Sequence, residues 1–260
     1  MDFKFLKHLF KAQGNTKKFN IKSSDIFLVS YPKSGNTWLR FLLGNYISTD
    51  IVDFTKSSLV IPDIDANPEQ INLLKTTPRF IKSHFTYTAD YPNVIYIIRD
   101  GRDVAVSYYY HQILAKEIDE TIDFKTYFYE FFMKGKSKFG SWGDHVTSWR
   151  SYTKHHILFI KYEDMLAETE KIFKHILQFS NMKIDNEKIK KAIDISSFKS
   201  MQKTESLNHD FLIKEHKFRD NGQKFVRKGI SGDWANHFDE EMLATFNSKY
   251  APLMQELGYK

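Results

Sequence analysis

Short apolar runs recur along the chain: DIFLVSY at residues 25–31, RFIKS at 79–83, NVIYII at 93–98 and HILFIKY at 156–162. Each has strand length and is rich in β-branched or aromatic side chains, so each predicts a β-strand, the first of them buried. Pro32 ends the first. Between the runs the pattern changes to helical spacing, over Trp38–Ile47, Gly101–Gln112 and, as one continuous helix, Glu163–Phe179. Strands alternating with helices predict an α/β fold with a central parallel sheet flanked by helices and joined by right-handed crossovers. Ligands of such sheets bind beyond the carboxyl ends of the strands. The loops after Tyr31, Ser83, Ile98 and Tyr162 are therefore expected to converge on one site. Residues 204–232 are polar and weakly periodic, and Asn208–Gly222 reads as a mobile lid. No repeat, linker or low-complexity tract divides the chain, which predicts an N-terminal segment at 1–24 and one domain at 25–260.

Composition narrows this picture. The chain has 260 residues, 42% of them hydrophobic, enough to bury one substantial core. Aromatics reach 16%, with 23 Phe and 14 Tyr, which fits a core of large side chains more readily than an aromatic-lined pocket. There is no cysteine, so disulfides, thiolate metal sites and cysteine nucleophiles are excluded, and a reducing, cytoplasmic setting is expected. No apolar run is long enough to span a bilayer, and residues 1–11 lack a signal-peptide cleavage pattern. Residues 3–11, FKFLKHLFK, read either as a basic amphipathic helix making weak peripheral membrane contact or as a segment packed on its own domain. A net charge of +6 suits an anionic partner without choosing among nucleotide, nucleic acid and lipid.

Candidate chemistry chooses among them. The strand-loop-helix Tyr31-Pro32-Lys33-Ser34-Gly35-Asn36-Thr37-Trp38 is an anion cradle. Gly35 allows the tight turn, free N–H groups open the helix, Ser34, Asn36 and Thr37 add side-chain donors, and Lys33 adds charge. It is not a Walker A loop, because the lysine precedes the glycine and Gly35-Asn36-Thr37 replaces Gly-Lys-Ser/Thr. A second element, Arg99 to Tyr108, puts Arg99 at a strand end and Ser107 two helical turns onward. Both suit a phosphate, whereas Arg102 and Asp103 read as structural. The third, Arg227-Lys228-Gly229-Ile230-Ser231-Gly232-Asp233-Trp234, pairs two cations with a glycine. Alone it reads as a solvated basic loop.

Together and in this order, the three motifs resemble the cytosolic sulfotransferase family. YPKSGNTW is similar to its 5'-phosphosulfate loop, RDGRDVAVSYY to its 3'-phosphate element and RKGISGDW to its C-terminal phosphate loop. KSH at 82–84, GSWGDHVTSW at 140–149, KYEDM at 161–165 and SSFKSM at 196–201 extend the match across roughly residues 25–240. The resemblance implies a P-loop-like fold and sulfuryl transfer from 3'-phosphoadenosine 5'-phosphosulfate (PAPS) to a hydroxyl or amine of a small acceptor, sugar or lipid. It implies that Lys33, Ser34, Gly35, Asn36, Thr37 and Trp38 hold the phosphosulfate, with Lys33 at the bridging oxygen and Trp38 on adenine. Arg99, Ser107, Arg227, Lys228 and Gly229 are implied for the 3'-phosphate, and Tyr162, Ser196 and Phe198 for the adenine pocket. His84 falls on the family's catalytic base and Lys82 on its neighbouring lysine. No metal and no nucleic-acid partner are implied. After the third motif, HFDEEMLATF does not match the family's dimer segment, so no oligomeric state follows. Residues 50–78 and 204–222, on the acceptor side, match only loosely and leave the acceptor open.

The expected reaction is an in-line displacement at sulfur, with His84 as base, Lys33 neutralising the leaving oxygen and Lys82 supporting the sulfuryl oxygens. A P-loop kinase, with Asp100 as the strand-end aspartate, is the alternative enzyme. A non-catalytic binder of nucleotide or nucleic acid is the alternative without chemistry.

Overall fold

A computed structural model describes residues 19–151 and 156–260. The strands are β1 (Ile26–Ser30), β2 (Phe80–Ser83), β3 (Asn93–Ile98) and β4 (His156–Lys161), all parallel in the order β2-β1-β3-β4. Every expected strand is present, β3 with the expected bounds and the others one residue shorter at one or both ends. The helices that build the site and its supports are α1 (Asn36–Ile47), α2 (Gly101–Leu114), α3 (Trp142–Arg150), α4 (Tyr162–Ala167), α5 (Thr169–Phe179), α6 (Asn186–Ile195), α7 (Phe198–Leu207), α8 (His209–His216) and α9 (Glu240–Glu256).

Strand side chains alternate between two faces, and each face has its own core. Phe27, Val29, Ile81, Val94 and Tyr96 meet α2, α3 and α9 through Val104, Trp149 and Phe246. Ile26, Leu28, Phe80, Ile95 and Ile97 meet α1, α5 and α6 through Leu42, Phe173, Ile176 and Ile189. At about 1.5–3 kcal/mol for each large side chain fully buried, these two interfaces dominate the stabilisation of the sheet. Phe19 is buried with the first cluster, and the Asn20 carbonyl accepts from Arg79 Nη2, so the chain just before β1 packs on the domain. Residues 3–11, the expected amphipathic segment, lie outside the described residues.

Two expectations are corrected. The single helix over 163–179 is broken at Glu168 (φ −133°, ψ 49°). The break lets short α4 carry Tyr162 over the β1 loop while α5 turns its Phe173-Ile176-Leu177 face to the sheet. The lid at 208–222 is helical through His216. Leu212 of α8 is buried with Phe41, Met201 and Phe218, an anchoring that its polar neighbours hide in the sequence.

Chain order also positions the site. From β1 the chain crosses to β2 on one side and then to β3 on the other. The loops leaving β1 and β3 thus diverge and open a crevice at the carboxyl edge.

Candidate active site

The loop after β1 is shaped by backbone. Lys33 (φ 68°) and Gly35 (φ 106°) are both left-handed. A Cβ on Gly35 would sit 2.6 Å from the Tyr162 ring, so only glycine fits there. Helix α1 then begins with no side-chain cap and no acid in its first turn. Its first N–H groups lack helical partners, and the helix dipole adds positive potential. Asn36 departs from expectation. Its amide nitrogen donates to the Leu28 carbonyl (2.9 Å) and to Ser30 Oγ (3.3 Å), so the side chain ties the loop to β1 and only its backbone N–H remains for a ligand.

The second element is bound to the first. Arg99 Nη1 donates to the Lys33 carbonyl and Nη2 to the Ile230 carbonyl, each at 3.0 Å, and the guanidinium lies 4.3 Å over the Tyr162 ring. One side chain thus touches all three motifs. The Arg99–Asp103 pair is long at 3.9 Å. Asp103 instead accepts from the backbone N–H of Gly232 (2.7 Å) and Trp234 (2.9 Å), docking the third loop on α2. Arg102 pairs with Asp100 at 2.6 Å, away from the cleft, as its structural reading expected. In the third loop, Arg227 and Lys228 both bind Asp233, at 2.7 and 2.6 Å. Gly229 is left-handed (φ 65°), and a Cβ there would meet Phe198 at 2.4 Å.

These loops surround one cleft of about 590 Å³. Lys33, Gly35, Asn36, Thr37, Trp38, Lys82, His84, Arg99, Ser107, Tyr162, Phe198, Arg227, Lys228 and Gly229 all line it. Ser34 and Ser196 do not, being buried behind the wall with unpartnered hydroxyls.

His84 extends from the end of β2. Its Nδ1 lies 2.7 Å from the Ser30 carbonyl. A carbonyl only accepts, so Nδ1 carries the proton and Nε2 keeps its lone pair. The His84 carbonyl accepts from His145 Nε2 (3.0 Å), whose Nδ1 accepts from the Tyr96 hydroxyl (2.7 Å). Burial, with the Lys82 charge nearby, holds the His84 pKa well below the usual histidine value, so its resting state is neutral. Lys82 is paired with Asp63 at 2.5 Å. Burial alone would raise the Asp63 carboxyl, but the Lys82 charge and its hydrogen bond hold it below the usual range. Burial, and then the Arg99 charge, lower Lys33 to about 7, and its ammonium sits 3.9 Å over the Phe225 ring.

A model of the sulfotransferase domain matches residues 23–258. The chain belongs to this sulfotransferase family. Sulfotransferase 1 family member D1 of Rattus norvegicus is 32% identical over 265 residues, covering 95% of this chain and 89% of the relative. Sulfotransferase 1E1 of Cavia porcellus is 32% identical over 266 residues, covering 96% and 89%. Among solved structures, mouse sulfotransferase SULT7A1 complexed with PAP (3'-phosphoadenosine 5'-phosphate) superposes with a TM-score of 0.72 at 28% identity, covering 94% of this chain and 89% of that one. Retinol dehydratase in complex with retinol and PAP shares the fold at TM-score 0.75 and 23% identity, covering 95% and 86%. This sulfotransferase therefore uses PAPS as sulfuryl donor and a small molecule as acceptor.

The residues of the cleft fit such a nucleotide. Arg99 Nε is buried without a partner beside an uncapped helix start, and four cations, Lys33, Arg99, Arg227 and Lys228, ring that end. No helix among the described residues is long and apolar enough to cross a membrane, and no group of three or more metal-ligating acids, histidines or cysteines occurs among them.

Sequence reasoning missed several residues of this sulfotransferase site. Asp63, partner of Lys82, lies in the loosely matching 50–78 region, where the DID of residues 63–65 was its only signal. Buried Glu205 accepts from the N–H groups of Phe225 (2.6 Å) and Val226 (2.9 Å) and so shapes the third loop. Nothing in its polar surroundings marks it. His111 and Phe225, which also line the cleft, passed as ordinary members of helix and loop.

Proposed function

We propose that His84 is the general base of sulfuryl transfer and that the three phosphate-binding motifs divide the donor as the family resemblance implies. The observation that carries this reading is the Ser30 carbonyl at His84 Nδ1, which leaves Nε2 unprotonated in a cleft shared with Lys33. Bound PAPS supplies an activated sulfuryl group with a phosphate as leaving group. His84 Nε2 takes the proton of the acceptor hydroxyl as the new oxygen–sulfur bond forms. Lys33 neutralises charge on the departing oxygen, assisted by the open N–H groups of α1. Lys82 stands on the sulfuryl side, and Asp63 offsets the positive charge that His84 acquires. Arg99, Ser107, Arg227, Lys228 and Gly229 take the 3'-phosphate. Trp38, Tyr162 and Phe198 flank adenine with Ser196 behind them, and the 33–38 loop, Ser34 included, takes the phosphosulfate. A cytoplasmic setting belongs to this reading, supported by a chain without cysteine.

The decisive experiment pairs single-turnover sulfation with a binding titration. His84→Ala is expected to slow transfer by about 10²- to 10⁴-fold while PAP affinity stays close to that of the unaltered protein. The loss should be larger for alcohols than for acidic phenols, which ionise without help. Normal turnover in His84→Ala would remove the base assignment. For the 3'-phosphate, calorimetry should give much tighter binding of PAP than of AMP, with Arg227→Ala narrowing the difference. Equal affinities in the unaltered protein would overturn the assignment of that subsite.

A further inference from the structure

Outside the cleft, a polar circuit closes around the end of β3. Glu163 Oε1 accepts from the Asp100 N–H at 3.1 Å, and Oε2 accepts from the Tyr259 hydroxyl at 2.8 Å. Asp100 pairs with Arg102, whose Nη2 donates to the Lys260 carbonyl at 2.6 Å, and the chain from Lys260 to Tyr259 completes the circuit. The Arg102 guanidinium also lies 3.9 Å over the Trp234 ring, so the third phosphate loop leans on the same group of residues. None of Asp100, Arg102, Glu163 and Tyr259 lines the cleft.

Arg99 is nonetheless held by this circuit, through consecutive residues of α4. The Tyr162 ring supports its guanidinium at 4.3 Å. Glu163 takes the N–H of the peptide that joins Arg99 to Asp100. β3 ends at Ile98 and α2 starts at Gly101, so this peptide lies between the strand ladder and the helix, and Glu163 is the acceptor its N–H finds. A peptide unit is planar. Anchoring its N–H therefore sets the plane, and with it the direction in which the Arg99 side chain leaves the backbone. The carboxylate is itself held. Burial and the Glu163 charge raise the Tyr259 hydroxyl pKa well above its ordinary value, which keeps the hydroxyl a donor through neutral and mildly alkaline pH.

We propose that Glu163 is a positioning residue for the 3'-phosphate: through the Arg99–Asp100 peptide it aims the Arg99 guanidinium, and Tyr259 holds it in place. This inference rests on the reading of Arg99 as a ligand of the 3'-phosphate.

PAP and AMP differ only by the 3'-phosphate, so the ratio of their affinities isolates the task of Arg99. Calorimetry on the full chain measures that ratio. Glu163→Ala should cut the preference for PAP by about tenfold, the scale of one charge-assisted hydrogen bond, with AMP affinity little changed. Glu163→Gln keeps an acceptor for the Asp100 N–H and meets the Tyr259 hydroxyl with its amide, so it should recover most of the preference. Tyr259→Phe should lower the preference by a smaller factor. In an Arg99→Ala background, Glu163→Ala should change the ratio no further. A merely structural role gives equal losses for PAP and AMP in Glu163→Ala, and that result overturns the proposal, as does an unchanged ratio. If Glu163→Ala does not fold, Tyr259→Phe decides, with a lowered preference for PAP expected and an unchanged one overturning the proposal. The two readings fail separately. If Arg99→Ala leaves the preference intact, the assignment of Arg99 falls and Glu163 falls with it. If Arg99→Ala removes the preference and Glu163→Ala does not alter it, only the role of Glu163 falls.

Discussion

Burial makes Lys33 a titrating group near neutrality, at about 7. Its folded-state pKa is depressed, so above pH 7 the side chain is largely uncharged. An arriving phosphate favours the ammonium form, and binding must then draw a proton from solvent. PAP affinity is expected to weaken as pH rises from 7 to 9, with about one proton taken up per nucleotide at the upper end. Calorimetry in buffers of different ionisation enthalpy reads this uptake directly. Lys33→Arg should flatten the dependence, because guanidinium does not titrate in this range. A pH-independent affinity would mean that Lys33 is already charged before the nucleotide binds. His84 has the opposite sign. Its depressed pKa keeps the base form populated through neutrality, so the acid limb of kcat/KM should fall below pH 6.5.

Among elements, the three phosphate loops behave as one body because buried side chains join them. Asp103 holds two backbone N–H groups of the third loop, and Glu205 holds two more. Asp103→Ala would remove the buried carboxylate that both N–H groups donate to, and a loss of about 1–3 kcal/mol is expected in denaturant unfolding. PAP affinity should fall in parallel, although Asp103 lies outside the proposed ligand set. A variant with intact stability and weakened PAP binding would mean that Asp103 acts on the nucleotide more directly. These ties also explain what was legible in the sequence. β1 and β3 could be read because burial on both faces turns them into apolar runs, and the motifs because phosphate chemistry constrains glycine, lysine and arginine at fixed spacing. Glu205, Asp63 and the anchor of α8 could not, because each owes its role to a partner distant in sequence. Asn36 misled for the same reason, since its amide reads as a free donor until Leu28 and Ser30 are seen beneath it.

At the scale of the whole molecule, the cleft draws on all four strands and on the 196–234 segment, so nucleotide binding should stabilise the entire fold. PAP at a hundred times its Kd should add about 2.7 kcal/mol. The shift should be the same with EDTA as with magnesium, since lysine and arginine side chains and helix N–H groups already balance the phosphates. Thermal denaturation in the two conditions checks this, and a shift that disappears with EDTA would favour the kinase-like alternative. A further consequence concerns turnover. Asp233 pairs with both Arg227 and Lys228. The departing product therefore does not abandon two bare charges, because a carboxylate stands ready to recapture them. Product escape becomes an exchange of partners, and Asp233 sets its tempo. Asp233→Asn should hold PAP longer, with slower dissociation in stopped-flow chase experiments, and repeated cycles should slow even where the first sulfation is as fast as before.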